Sequence, residues 1–322
     1  MALQPIMRYA LKEFKVDFIG PRFYAMTLSA FMVVASLLSI AIQGFNFGID
    51  FAGGVLVEVR HEKRIDVAEL RNDINALNLG DVTISTFGSE GNTVAIRVPQ
   101  QEGGDQAQTA ALKRVQEALG PGFTVLRTEV VGPKVGAELM VGGALAIALA
   151  LIGIMVYVWL RFEWQFALGA VLSLTHDVIT TLGIFSIFQL QFDLNTVAAV
   201  LTIAGLSVND TVVVYDRVRE TLRKYRKMPL ADLLNFAINK VLARTLVTNL
   251  TAGLAVIALL IGGGEVLRGF SIALTWGMIV GSYSTIYVAL PMLVYLDVRR
   301  DDAVGTGSTP VPEYERTPSP AE

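Results

Sequence analysis

Cysteine is absent from all 322 residues, which excludes disulfides and thiol chemistry and leaves the redox compartment undetermined. Histidine occurs only twice, too few for a transition-metal centre without thiolates. Charged residues make up 17% of the chain against 53% hydrophobic ones, and the mean hydropathy is +0.53. A soluble domain carries more charge and no such apolar excess, so a polytopic α-helical membrane protein is expected. There is no Gly-rich loop with Lys-Ser/Thr, no metal-ligand spacing and no Ser/His/Asp arrangement that would stand at a lipid face. GIDFAGG (Gly48–Gly54) is Gly-rich, but it follows an apolar run and precedes a strand pattern, where a turn serves as well as phosphate binding. An enzyme is not expected.

The apolar residues fall into six runs long enough to be spans: 23–43, 138–160, 165–188, 194–215, 243–262 and 268–296. The last is long enough to tilt and has Pro291 near its end. Arg8, Lys12, Lys15 and Arg22 precede the first run, which ends without a small-residue cleavage site, so a retained span is expected rather than a signal peptide. Short-loop cations set the orientation. They collect in that 1–22 arm, at Arg161, and in the 217–240 connection (Arg217, Arg219, Arg223, Lys224, Arg226, Lys227, Lys240); the turns at 189–193 and 262–267 have none. Both termini are therefore expected in the cytoplasm and the 46–135 segment outside.

That outer segment reads in order as a strand (54–62), a helix (66–77), two short strands (82–87 and 93–98), a second helix (105–119) closed by Gly120-Pro121-Gly122, and a last strand (123–131). The order β-α-β-β-α-β predicts a small α+β, ferredoxin-like domain, a fold that identifies no function. From Arg217 to Lys240 apolar residues alternate with cations, which predicts an amphipathic helix on the cytoplasmic face, against membrane lipid. Cations beside spans do not call for nucleic acid. The 301–322 tail, rich in Pro, Ser, Thr and Gly, is expected to be disordered.

One charge stands where it is most costly. Asp210 lies inside the fourth run, NTVAAVLTIAGLSVNDTVVVY (195–215), flanked by Asn209 and Thr211. A carboxylate at bilayer depth costs from about 2.5 to beyond 10 kcal/mol and usually marks an ion or substrate path. Asp210 is read as a carboxyl that takes up and releases a proton; a static ion pair joining helices is the alternative. Arg244, at matching depth in the antiparallel fifth run, is the candidate partner, with lipid phosphate as its other option. Thr248 lies one turn on from Arg244 on the same face, and Asn249 adds a polar group. Gly205 and Ser207 could form a hinge or allow close packing, and packing also suits the GxxxG of Gly277 and Gly281. His176 and Asp177 in the third run either extend a proton path or tie helices together. Asp193 before the fourth run reads as a helix cap.

At these residues the chain resembles the SecF members of the SecD/SecF family, within the RND superfamily. The matching pieces are VDFIGPR (16–22), FNFGIDFAGG (45–54), VVGPKVGAEL (130–139), RFEWQFALGAVLSLTHDVI (161–179), FDLNTVAAVLTIAGLSVNDTVVVYDRVRE (192–220) and ARTLVTNLT (243–251). The resemblance implies an RND-type, six-span subunit of the bacterial cytoplasmic (inner) membrane, paired with SecD. It implies use of the proton-motive force to help draw translocating polypeptide through the SecYEG channel after the ATP-driven SecA step, with YajC-type accessory subunits as further company. It also implies no cofactor other than protons as coupling ion, essential roles for Asp210 and Arg244 in proton coupling, and Thr248 in the same network. Asn249 departs from the serine expected there. An RND-type exporter half for small molecules or lipids would need a larger outer domain. A non-transporting membrane scaffold would tolerate joint apolar replacement of Asp210 and Arg244.

Overall fold

The computed structural model describes residues 16–87, 91–296 and 298; residues 1–15 of the N-terminal arm and the 301–322 tail lie outside them. In chain order, helix α1 (Arg22–Gln43) leads to a two-residue strand β1 (Asn46–Phe47) and a one-turn helix α2 (Ile49–Ala52). Then come β2 (Gly54–His61), α3 (Val67–Asn75), β3 (Thr83–Phe87), β4 (Thr93–Val98), α4 (Gly104–Leu119) and β5 (Phe123–Val131). Helices α5 (Pro133–Arg161) and α6 (Trp164–Ile187), strand β6 (Gln191–Phe192), and helices α7 (Leu194–Lys224) and α8 (Leu230–Gly262) follow. The last stretch is α9 (Gly264–Ser284), a π-helical turn (Thr285–Ala289) and α10 (Leu290–Tyr295).

Strands β2 to β5 form an antiparallel sheet in the order β3-β4-β2-β5. Strict alternation puts Val55, Val57 and Val59 on one face, where they bury against Leu70 and Ile74 of α3 and Val115 and Leu119 of α4. Asp66 starts α3 by accepting the N–H groups of Ala68 and Glu69. The opposite face of β2 is also buried: Leu56 packs with Ile49 and Ala95, and Glu58 is covered too. That face packs on the short helix through Ile49, and a cavity separates Leu56 and Glu58 from Asn195 and Val266 of the spans.

Six helices among the described residues are long and apolar enough to cross a membrane, the sixth being the composite Val266–Tyr295. The apolar windows of α6, α7 and the sixth span are 61%, 50% and 56% buried, against 17%, 6% and 6% for α1, α5 and α8. The first three therefore form the inner layer. β1 pairs in parallel with β6, matching Asn46 to Gln191 and Phe47 to Phe192, which fixes the turn after α6 on the same side as the sheet. Phe45, Phe51 and Phe185 gather around Phe192. Asp50 of α2 accepts the Leu194 N–H at 3.0 Å, so the glycine-rich turn holds the first residue of α7.

The 217–240 segment differs from the separate surface helix expected of it. Helix α7 continues through Lys224, and α8 starts after Pro229. Leu233, Leu234, Ala237 and Ile238 are fully packed against Tyr215, Val218 and Leu222. The cationic heads stay at the rim, with Arg161 paired to Asp216 and Arg219 to Glu163. Asn235 accepts the N–H groups of Phe18 and Ile19, pinning the chain before α1 to the same hairpin.

Asp193 caps α7, its carboxylate accepting from the N–H and hydroxyl of Thr196 at 2.8 Å each. Burial holds this carboxyl above its ordinary value of 3.8, the Thr196 bonds pull it down, and the nearby charge of Asp50 adds to the rise. The folded state thus binds the proton more tightly than the unfolded chain does. The stability contributed by this group falls as pH rises from about 3.8 through the raised value, and stays lower above it. Asp193→Asn keeps an acceptor oxygen for both bonds and removes the charge. Thermal unfolding in detergent is expected to show a Tm at pH 7 no lower than wild type, without that decline. A lower Tm with the decline intact would contradict it.

Candidate functional site

Three consecutive turns of α7 present polar side chains to the inner layer: Ser207, Asp210 with Thr211, and Tyr215. Asp210 is 9% exposed. Its Oδ2 accepts one hydrogen bond, from Asn249 Nδ2 of α8 at 3.0 Å, and the same amide donates to Ser282 Oγ at 2.7 Å. Among the described residues no ion pair reaches this carboxyl. A cavity lies beside it, lined by Ser207, Asn249, Gly277, Gly281 and Ser282.

The expected pairing of Asp210 with Arg244 is not the one present. Arg244 and Thr248 are both exposed on α8, and Thr248 Oγ1 donates to the Arg244 carbonyl of its own helix at 3.0 Å. An α-helix turns about 100° per residue, so Asn249 faces inward while Thr248 does not. Asn209 is likewise exposed on the outer side of α7. Thr211 is buried and shares a hydrogen bond of 3.0 Å with Thr285 Oγ1. Tyr215 donates to the Ala289 carbonyl at 3.2 Å. These two contacts, one turn apart, hold α7 to the two ends of the π-helical turn. Such turns break the regular ladder and recur at functional sites.

His176 and Asp177 on α6 form a second polar cluster. His176 Nδ1 lies 3.0 Å from Asp177 Oδ1, and Asp177 Oδ2 accepts from Ser207 at 2.5 Å and from Ser284 at 2.8 Å. Ser173 donates in turn to Ser284 at 2.9 Å.

The glycines separate into two roles. A Cβ on Gly277 would collide with the side chain of Ile203, so this glycine admits α7 against the sixth span. Gly281 stands opposite Ser207 with ordinary room. Gly205 is exposed, and a methyl group added there would meet nothing within 4 Å, so the packing expected of it does not occur; it lies on the outer side of the helix. Ser282, Ser284, Thr285 and Ser173 belong to the polar network without having been expected in it. For Ser282, Ser284 and Thr285 the one signal is the run GSYST (281–285) inside an otherwise apolar span; Ser173 has none.

This is a multi-pass membrane protein whose inner helices bury two carboxyl groups among hydroxyls and amides. Residues 111–299 match the family described as protein export membrane protein SecD/SecF, C-terminal, and residues 38–61 match the SecD/SecF GG motif. The chain is 42% identical to the protein translocase subunit SecF of Cereibacter sphaeroides, covering 90% of this chain and 94% of that one. It is 46% identical to that of Magnetococcus marinus, over 90% and 95%. The crystal structure of SecDF from Thermus thermophilus, a translocon-associated membrane protein, superposes with a TM-score of 0.79 at 34% identity, covering 92% of this chain and 40% of that longer one. The chain belongs to the SecD/SecF family.

Removing the Asn249 amide takes away the donor that Asp210 uses. Asn249→Ala is expected to lower stability by about 1–3 kcal/mol, the usual cost of stranding a buried polar group. Asn249→Ser, which keeps a shorter donor, is expected to lose less. Thermal unfolding of both variants in detergent measures the difference; equal losses would show that the hydrogen bond contributes nothing.

Proposed function

We propose that the chain is the SecF-type subunit of a bacterial Sec protein-export machinery, paired with SecD in the inner membrane. It uses the proton-motive force to assist polypeptide through SecYEG after the SecA step, with YajC-type subunits as further company. Both termini are cytoplasmic, and the sheet domain stands outside in a ferredoxin-like arrangement. Asp210 carries the proton, and no cofactor other than the proton is involved.

The observation that carries this reading is a buried carboxyl whose one hydrogen bond among the described residues comes from a neutral amide, beside a small cavity. No fixed cation among the described residues holds it charged, so gain and loss of a proton change its bonding to Asn249, which also holds Ser282, and thereby the contact between α7, α8 and the sixth span. Each charge that crosses a potential of about 100 mV releases about 2.3 kcal/mol. That matches the coupling energies of about 1–3 kcal/mol that bias conformational equilibria. Arg244 and Thr248 act at another stage of the cycle. Thr248 and Arg244 lie about 100° and 140° around α8 from Asn249, on one side of it, and axial rotation of that helix moves them toward Asp210.

Asp210→Asn is expected to insert at the wild-type level and to lose the gradient-dependent part of export. The measurement is export into inverted membrane vesicles with and without a proton gradient. Full gradient stimulation in the variant would count decisively against Asp210 as the proton carrier.

A further inference from the structure

Asp177 is 0% exposed, buried more deeply than Asp210. Among the described residues, three elements bring polar groups toward it. Its own helix supplies His176, α7 supplies Ser207 with Asp210 one turn on, and the sixth span supplies Ser284 with Tyr283, whose ring is 6.3 Å from that of His176. Apolar side chains of α5, Ile147 and Leu151, close the far side of this part of α6. No lysine or arginine is among these groups.

A knot that served only to join helices would satisfy its own polar atoms and be closed on every side. This one is neither. Among the described residues the buried His176 Nε2 has no hydrogen-bond partner. Ser207, which donates to Asp177, also lines the cavity that holds Asp210, and so does Gly281. The cavity volume is about 10 Å³, roughly the room for one water; Ser207, Asp210, Asn249 and Ser282 supply the polar groups of a wall that Ile203, Leu206 and Met278 otherwise make apolar.

We propose that Asp177 is a second proton-holding carboxyl in series with Asp210, connected through the Ser207 hydroxyl and one water in this cavity. The inference rests on the reading of Asp210 as the proton carrier. In the transfer, protonated Asp210 gives its proton to the water, the water passes one of its protons to Ser207 Oγ, and Ser207 gives its own hydroxyl proton to Asp177 Oδ2. The water and the serine end as they began. The net change is that Asp210 becomes a carboxylate and Asp177 a carboxylic acid, and the reverse sequence returns the proton.

Gly281 gives a test that leaves the packing intact. A Cβ there would sit 3.5 Å from Ser207 Oγ and 3.6 Å from Asp177 Oδ2, at ordinary contact, so Gly281→Ala fits the helix pair while occupying the space of the water. The experiment uses the full-length chain co-reconstituted with SecD, with infrared difference spectra of carboxyl C=O bands recorded through a pH titration and after transfer to heavy water. Wild type is expected to give two buried carboxyl bands, one lost in Asp210→Asn and the other in Asp177→Asn. Gly281→Ala and Ser207→Ala should keep both bands and slow exchange at the Asp177 band at least tenfold, with Ser207→Thr restoring it. A single band belonging to Asp210, or an Asp177 band whose exchange ignores the changes at 281 and 207, overturns the proposal while leaving Asp210 as the carrier. If neither band is lost in Asp210→Asn, the reading of Asp210 itself fails. Should Asp177→Asn not insert, the substitutions at 281 and 207 decide alone.

Discussion

A carboxyl group placed among apolar helices must obtain from its neighbours what water would otherwise give it, and the inner layer is arranged around that requirement. The amide of Asn249 reaches Asp210 while holding Ser282, the hydroxyls of Ser207 and Ser284 converge on Asp177, and Thr211 joins Thr285. Within a few residues the sixth span thus meets the polar groups of three other helices. An isolated ion at this depth would cost many times what a neutral hydrogen-bonded carboxyl does. Neutral donors alone leave the protonation state open to change, where a fixed guanidinium would decide it.

The membrane architecture was legible because long apolar runs have few alternative solutions. Backbone groups in lipid must be satisfied internally, so each run is a helix. The sheet domain was legible from strict alternation between turn residues. What misled was the 217–240 segment, where the cations stand out and the apolar side chains look sparse. In three dimensions the cations lie at the rim and Leu233, Leu234 and Ile238 supply the packing. The continuous extension of α7 and α8 past the bilayer follows from tertiary contact, which a local pattern does not carry.

At the site, Asp210 announced itself through its cost, and its neighbour did not. Depth along a helix can be counted from the sequence, but the direction in which a side chain points depends on how the helices are rotated about their axes. Thr248 and Asn249 are at comparable depth and face different ways, so depth alone could not choose between them. The hydroxyls of Ser173, Ser282, Ser284 and Thr285 were harder still to find, since a serine in an apolar run is equally at ease bonding to its own backbone.

The hold of Asp50 on Leu194, together with the pairing of Asn46 and Phe47 with Gln191 and Phe192, anchors one end of α7 to the segment that leads into the four-stranded sheet. Asp210 lies on the same rigid rod, about 24 Å from that anchorage at 1.5 Å per residue. Such a rod behaves as a lever with its fulcrum at the membrane surface. A tilt of only a few degrees there swings the carboxyl sideways by about 2 Å, enough to make or break a hydrogen bond. The sheet domain would then feel a change in the bonding of Asp210 as a turning force at its base, with no need for any part of the sheet itself to deform.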